Sequence, residues 1–167
     1  MKRWGRALLQ AVAILLPALA LYAWQTRDLL PADARSDAPV FDLATIDGTR
    51  LDSAALSGRP AVLYFFAPWC RFCAASAPQL RWFHRFRGDA VAVVLVALDY
   101  GTAAEVQAYV DSHGLDMPVL LGDSHTAESY RVRGFPTYYV VDSAGRVAAR
   151  DFGITTLPGL WWRTLGL

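Results

Sequence analysis

The sequence predicts an α/β fold in which helices flank a central mixed sheet. Continuous apolar runs, such as residues 61–66 and 90–98, are followed by segments with helical periodicity. Two turn signals, Asp47-Gly48 and the tetrapeptide at 142–145, each separate a pair of strand patterns. Strands that first alternate with helices and then close in an antiparallel pair are expected to build a mixed sheet.

The predicted domain begins with a β-hairpin. Its strands, residues 40–43 and 49–51, flank the Asp47-Gly48 turn. Ser53 is placed to cap a short helical turn that ends near Gly58, because a serine hydroxyl can accept from a free N–H of a helix start.

The core of the predicted fold follows the hairpin. Residues 61–66 are apolar throughout, which is typical of a strand buried on both faces. Residues 71–87 have helical periodicity, with Phe72 in the apolar stripe. The remaining predicted elements, in chain order, are strand 90–98, helix 102–112 with Thr102 as cap, strand 119–121, helix 124–130, strands 137–141 and 146–152, and an amphipathic helix 157–165 packed by Trp161 and Trp162.

Length and composition limit the function classes. The chain has 167 residues, enough for one domain with a core and a short appendage. Its net charge is +1 and its basic residues are scattered after the first few positions, so the sequence predicts no nucleic-acid surface. Two cysteines cannot build a disulfide scaffold, so packing must supply the stability.

The N-terminal residues predict export of the domain that follows them. Lys2, Arg3 and Arg6 precede an uncharged stretch, residues 7–24, which as a helix would be about 27 Å long and would nearly span a bilayer. The basic start predicts that the following domain crosses to the outside. An uncleaved anchor is favoured, and the alternative is a signal peptide cleaved after Ala18-Leu19-Ala20. The expected organisation is anchor or signal segment 1–24, polar linker 25–38 and domain 39–167.

The chain's two cysteines lie in Pro-Trp-Cys-Arg-Phe-Cys, residues 68–73, between a strand and a helix. This spacing suits reversible electron exchange, because only two residues separate the thiols. The free N–H groups at the helix start, together with Arg71, favour a thiolate at Cys70. Cys73, one turn later, is expected to be less exposed. The alternatives are half of a zinc site, which needs further ligands that the isolated histidines do not offer, and a structural disulfide, which would close too short a loop to stabilise the fold much.

Several features in order resemble the thioredoxin superfamily. These are Trp-Cys-x-x-Cys, Pro78 five residues after the second cysteine, and Gly-Phe-Pro-Thr at 134–137. The hairpin and an insert at 115–130 look more like its membrane-anchored TlpA/ResA branch. The tail from Gly153, with Leu-Trp-Trp-Arg, looks most like the suppressor-of-copper-sensitivity D (ScsD-like) subgroup. The resemblance covers roughly residues 38–167 and implies a thioredoxin-like fold.

The resemblance also implies roles for residues around the dithiol. Cys70 would attack the substrate and Cys73 would resolve the mixed disulfide. Pro136 would be cis and lie beside the two cysteines, and Phe135 would present its backbone to a substrate strand. Trp69 would flank the substrate groove. The alternatives are a turn proline at 136 and core packing for Trp69.

Two positions depart from the resembled family. Thioredoxin has a buried acid six residues before the first cysteine, where this chain has Tyr64. ResA-like proteins have a glutamate three residues after the second cysteine, where this chain has Ser76. Proton transfer from Cys73 must then use water, Tyr64 or another group. Tyr64 is interpreted first as an aromatic core residue.

The function implied is an exported thiol–disulfide oxidoreductase, with reduction as the favoured direction and with no cofactor or resident metal. Its partners would be disulfide-containing exported proteins and a membrane-embedded thiol donor. It would lie in a bacterial inner membrane as a single-pass protein with its domain in the periplasm. The alternatives are a net dithiol oxidase and a non-enzymatic copper- or partner-binding module.

Overall fold

A five-stranded mixed sheet forms the centre of the domain in the computed structural model, which describes residues 2–33 and 36–167. The strands are β1 Asp42–Ala44, β2 Arg50–Asp52, β3 Ala61–Phe66, β4 Ala92–Ala97, β5 Val119–Leu121, β6 Thr137–Val141 and β7 Val147–Phe152. The helices are α1 Lys2–Thr26, α2 Arg71–Arg87, α3 Ala103–His113, α4 Ser124–Ser129 and α5 Leu157–Thr164, with a 3-10 helix at Ser53–Leu56.

The strand order in this sheet is β5-β4-β3-β6-β7. Strands β3, β4 and β5 are parallel, whereas β6 and β7 run antiparallel to their neighbours. Strand β3 is central and all six of its residues are buried, as its uninterrupted apolar sequence predicts. The predicted mixed α/β class is confirmed.

The N-terminal hairpin is a small separate sheet of β1 and β2. It is attached to the edge of the main sheet by a bridge between Thr45 and Leu120. The predicted cap of the following helical turn was wrong by one residue. The Asp52 carboxylate accepts from the Ala54 N–H, because the Ser53 hydroxyl is instead used by the N–H of Phe41.

The sheet has an apolar core on each face. Helices α2, α3 and α5 cover one face, and α4 together with Leu29, Leu30 and Phe41 covers the other. Two packing predictions were wrong. Phe72, assigned to the apolar stripe of α2, is 62% exposed, and Trp162, expected to pack the last helix, is 77% exposed.

Helix α1 contains a stretch, Arg6–Thr26, that is long and apolar enough to cross a membrane. Its described side chains are exposed up to Gln25, and Thr26 is buried. The segment after it is not a free linker, because Leu29 and Leu30 are buried in the core. The boundaries at residues 24 and 38 stay a prediction. Residue 1 of the predicted anchor and residues 34 and 35 of the predicted linker lie outside the described residues.

Candidate active site

Cys70 lies where β3 leads into α2. Its backbone is extended, with φ −78°, and it occupies the N-cap position of the helix. Its Sγ accepts a hydrogen bond from the Cys73 N–H at 3.1 Å. A sulfur in this position faces the free N–H groups of the first helical turn, which stabilise a negative charge. The local fold therefore favours the thiolate of Cys70 once the pair is reduced.

The two cysteines form a disulfide in the structure, with their Cα atoms 5.2 Å apart. Cys70 is 5% exposed and Cys73 is fully buried. The difference arises from the helix, which turns the second thiol towards the core beneath α2. A substrate sulfur approaching from solvent meets Cys70 first.

Trp69 precedes Cys70 in the chain, and Phe135 and Pro136 form a loop next to it. The peptide bond between Phe135 and Pro136 is cis. The Phe135 ring packs against the core cluster that holds both cysteines, and it meets the Trp69 ring edge-on at 5.8 Å between centroids. Residues 135 and 136 precede the first pair of the β3–β6 ladder, at Thr137, so their backbone lies outside that ladder. The structure thus brings Trp69 and Phe135 into contact next to Cys70, with Pro136 joined to Phe135 through the cis bond.

Trp69 is 63% exposed, which argues against a core-packing role. Its indole Nε1–H donates to the Asp99 carbonyl at 2.9 Å, and this bond fixes the ring beside the dithiol. Asp99 has a φ of 50°, a left-handed conformation that is uncommon outside glycine. Sequence reasoning missed Asp99. Its signal was its place directly after the predicted strand 90–98, because the carboxyl ends of parallel strands meet at one edge of a sheet.

Phe72 lies between the two cysteines in sequence, and the chain neighbours of Ile154, Gly153 and Thr155, are hydrogen-bonded to Pro136 and Ser76. The Phe72 and Ile154 side chains are 62% and 56% exposed, and they extend the apolar surface near the dithiol. Arg71, between the cysteines, is also exposed. Exposed apolar side chains clustered around a reactive group are typical of a surface that binds a partner.

Ser76 and Tyr64, at the two positions that depart from the resembled family, are both buried. The Ser76 hydroxyl donates to the Phe72 carbonyl at 3.0 Å and accepts from the Thr155 N–H at 3.0 Å. The Tyr64 hydroxyl finds no hydrogen-bond partner among the described residues. Burial raises the pKa of Tyr64 far above its ordinary value, and the nearby Ser76 hydroxyl opposes that rise without cancelling it. Tyr64 therefore stays protonated and cannot serve as a base for Cys73.

His84 lies about three turns along α2 from Cys73 and is half-buried. No group of three histidine, cysteine, aspartate or glutamate side chains in residues 2–33 and 36–167 is arranged to hold a metal ion.

Comparisons with known proteins identify the family of this chain. Residues 34–150 match the model of the AhpC/TSA family. The chain is 30% identical over 123 residues to the thiol-disulfide oxidoreductase ResA of Bacillus subtilis, covering 72% of this chain and 68% of that protein. It is 25% identical over 158 residues to the thioredoxin-like protein YneN of the same organism, covering 93% of each.

Among solved structures, a secreted Mycobacterium tuberculosis disulfide oxidoreductase homologous to E. coli DsbE superposes with a TM-score of 0.67 at 27% identity. The match covers 76% of this chain and 96% of that one. The predicted thioredoxin-like fold is thereby confirmed, whereas the subgroup resemblance at the C-terminal tail stays a prediction. The chain belongs to the AhpC/TSA family and is a thioredoxin-like thiol–disulfide oxidoreductase.

Proposed function

We propose that the protein is a membrane-anchored reductase that donates electrons to disulfides of exported proteins through Cys70 and Cys73. The observation that carries the proposal is the difference between the two thiols. Cys70 is at the helix N-cap and opens towards an exposed apolar surface, and Cys73 is buried behind it. This arrangement suits one attacking thiol and one resolving thiol.

The reaction begins when the Cys70 thiolate attacks one sulfur of a substrate disulfide. The substrate S–S bond breaks, a mixed disulfide joins Cys70 to the substrate, and the departing thiolate takes up a proton. The Cys73 thiol then loses its proton and attacks the Cys70 sulfur, which releases the second substrate thiol. The substrate gains two electrons and two protons. The Cys70–Cys73 disulfide that remains must be reduced by a dithiol donor embedded in the membrane.

The surface around Cys70 supports binding of an extended substrate segment. Trp69 and Phe135 form two apolar walls, and the backbone of Phe135 lies outside the β6 ladder. A substrate strand could pair with this backbone, because an unpaired edge accepts a further strand. Pro136 has no N–H and ends the stretch available for pairing.

Export and anchoring are supported by α1. The helix is long and apolar enough to span a bilayer, and the similar Mycobacterium tuberculosis protein is described as secreted. We infer a single-pass protein of a bacterial inner membrane with its domain in the periplasm. An oxidising compartment gives a reductant its disulfide substrates and also requires a dedicated electron supply.

The proposal is tested on the whole chain in detergent. Titration against glutathione should give a reduction potential of about −270 mV, in the range of reductants, and a value of about −120 mV would instead establish a dithiol oxidase. A Cys73→Ala variant should accumulate mixed disulfides in cells, and a Cys70→Ala, Cys73→Ala double variant is the matched control. Absence of any mixed disulfide with Cys73→Ala would overturn the oxidoreductase function.

A further inference from the structure

The chain leaves α1 at the same end of the sheet as the dithiol. Trp24 and Gln25 line a cleft with Arg131 and with Phe152, the last residue of β7. Asp28 forms an ion pair with Arg133 at 3.1 Å. Arg131 and Arg133 belong to the loop that leads into the cis Pro136.

A short series of contacts joins this point to Cys70. The Phe152 ring packs over Gly134, where a Cβ atom would lie only 3.0 Å from the ring. The Gly153 N–H donates to the Pro136 carbonyl at 2.8 Å. Phe135, between these residues, contacts Trp69, which precedes Cys70. The membrane-side end of the domain and the rim of the active site are therefore neighbouring parts of one surface.

The segment that follows then runs away from the site along β7. The guanidinium of Arg150 donates to the carbonyl of Leu29 at 2.7 Å and also to that of Leu30. Further on, the Ala38 N–H donates to the Gly145 carbonyl at 2.8 Å, at the turn that opens β7. The chain after α1 therefore meets the domain first at the dithiol end of the sheet, and it reaches the opposite end only at Ala38.

The end of α1 is held against the domain. The hydroxyl of Tyr22 interacts with the Arg163 guanidinium of α5, and Thr26 is buried. Trp24 lies on the opposite side of the helix from Tyr22, because two residues correspond to about 200° of rotation. The end of α1 therefore contacts the domain through residues on two of its sides, although the side chains of Tyr22, Trp24 and Gln25 stay largely exposed.

We propose that α1 holds the domain with its dithiol end towards the bilayer, so that Trp69, Phe72 and Ile154 face the lipid headgroup layer. This inference rests on the anchored state of the proposed function. Tryptophan is favoured at the membrane interface, and arginines close to it are attracted to anionic lipids. The cleft at the end of α1 is lined by three arginines, Arg27, Arg131 and Arg133, and by two acidic residues, Asp28 and Glu128. Positive charge is therefore in excess there. The site then reacts first with disulfides and thiols that lie close to the bilayer.

The test uses the full chain in lipid nanodiscs with Cys70→Ser and Cys73→Ser as background. A single fluorescent label is placed by Ile154→Cys at the site end or by Ser143→Cys at the far end, and energy transfer to labelled headgroups gives the distance to the bilayer. The Ile154→Cys label should lie about 20 Å closer, the length of the six residues of β7. Equal distances, or a closer Ser143→Cys label, would overturn the orientation.

Removing contacts between the domain and the residues that follow α1 gives a second test. Asp28→Ala combined with Arg150→Ala should reduce the difference between the two labels, whereas Arg85→Ala, an exposed arginine of α2, should leave it unchanged. An unchanged difference in the loosened variant would contradict the role of these contacts. Release of the protein from nanodiscs, or an N-terminus beginning after Ala20, would instead refute the anchor itself.

Discussion

The two ends of the central sheet are built differently. At the far end, the Asp142 carboxylate accepts hydrogen bonds from the N–H groups of Ala144 and Arg146 and pairs with the Arg146 guanidinium. At the dithiol end, Trp69 and Phe72 are exposed and Asp99 has a left-handed backbone. At the far end, polar groups of the turn are hydrogen-bonded to one another. At the dithiol end, apolar side chains are left exposed, where a partner can bind them. Stability and function are thus separated along the strands.

Cys70→Ser should cause the largest change, a complete loss of disulfide reductase activity. A serine hydroxyl is not ionised at neutral pH and cannot form a mixed disulfide. Activity is measured by insulin reduction, and the free energy of unfolding by urea titration under reducing conditions, where it should match that of the reduced wild type. A variant that retained activity would show that the dithiol end is not the reactive one.

Asp142→Ala should have the opposite effect, lowering the free energy of unfolding by about 2 kcal/mol and leaving the redox potential unchanged. The loss arises because charge-assisted hydrogen bonds are removed from a tight turn. Urea denaturation and glutathione titration measure the two quantities on one preparation. A shifted potential would mean that the ends are coupled. Ser143→Ala, which removes a neighbouring exposed side chain, is the matched control.

The Asp142 carboxylate also makes the far end sensitive to pH. Partial burial opposes its ionisation, but the hydrogen bonds from Arg146 and Ala144 outweigh burial and hold the pKa of Asp142 below its ordinary value. A lowered pKa in the folded state gives a stabilisation that is complete above the pKa of the unfolded chain and is lost as the pH falls through the folded pKa. Asp142→Ala should therefore lower the free energy of unfolding by less at pH 3 than at pH 7, as measured by urea denaturation at both pH values.

Ser76→Ala tests a residue of the dithiol end that we expect to stabilise the fold. The change leaves the Thr155 N–H without its partner, so the free energy of unfolding should fall by about 1–2 kcal/mol. The pH profile of the second step, the attack of Cys73 on the mixed disulfide, should stay unchanged. A shifted profile would assign Ser76 to proton transfer.

Phe72→Ser should change the free energy of unfolding only slightly, within about 0.5 kcal/mol, because the side chain is exposed. Its loss should raise KM for a protein disulfide and leave kcat nearly unchanged, since it removes binding without touching the thiols. Phe86→Ser, at an exposed position of α2 remote from the dithiol, is the control. Equal effects of both changes on KM would contradict a binding surface centred on Cys70.

Local patterns were enough to predict the central elements. The apolar run at 61–66 predicted the observed bounds of β3, and the helical periodicity at 71–87 predicted the observed bounds of α2. The cis proline beside the dithiol was expected only through a family resemblance, since an isolated proline carries no signal of its partner. Burial of Leu29 and Leu30 could not be predicted, because their partners Tyr139 and Arg150 lie 109 and 120 residues away in sequence.

The buried leucines after α1 decide how the domain can be cut from its membrane helix. A truncated version beginning at residue 39 would lack both leucines, open the core around Tyr139 and leave Arg150 without its two carbonyl acceptors. We expect such a fragment to aggregate, because newly exposed apolar surface promotes association. A version beginning at Arg27 keeps these contacts. Soluble preparations for biochemical work should therefore start there, close to the bilayer, rather than at the first strand.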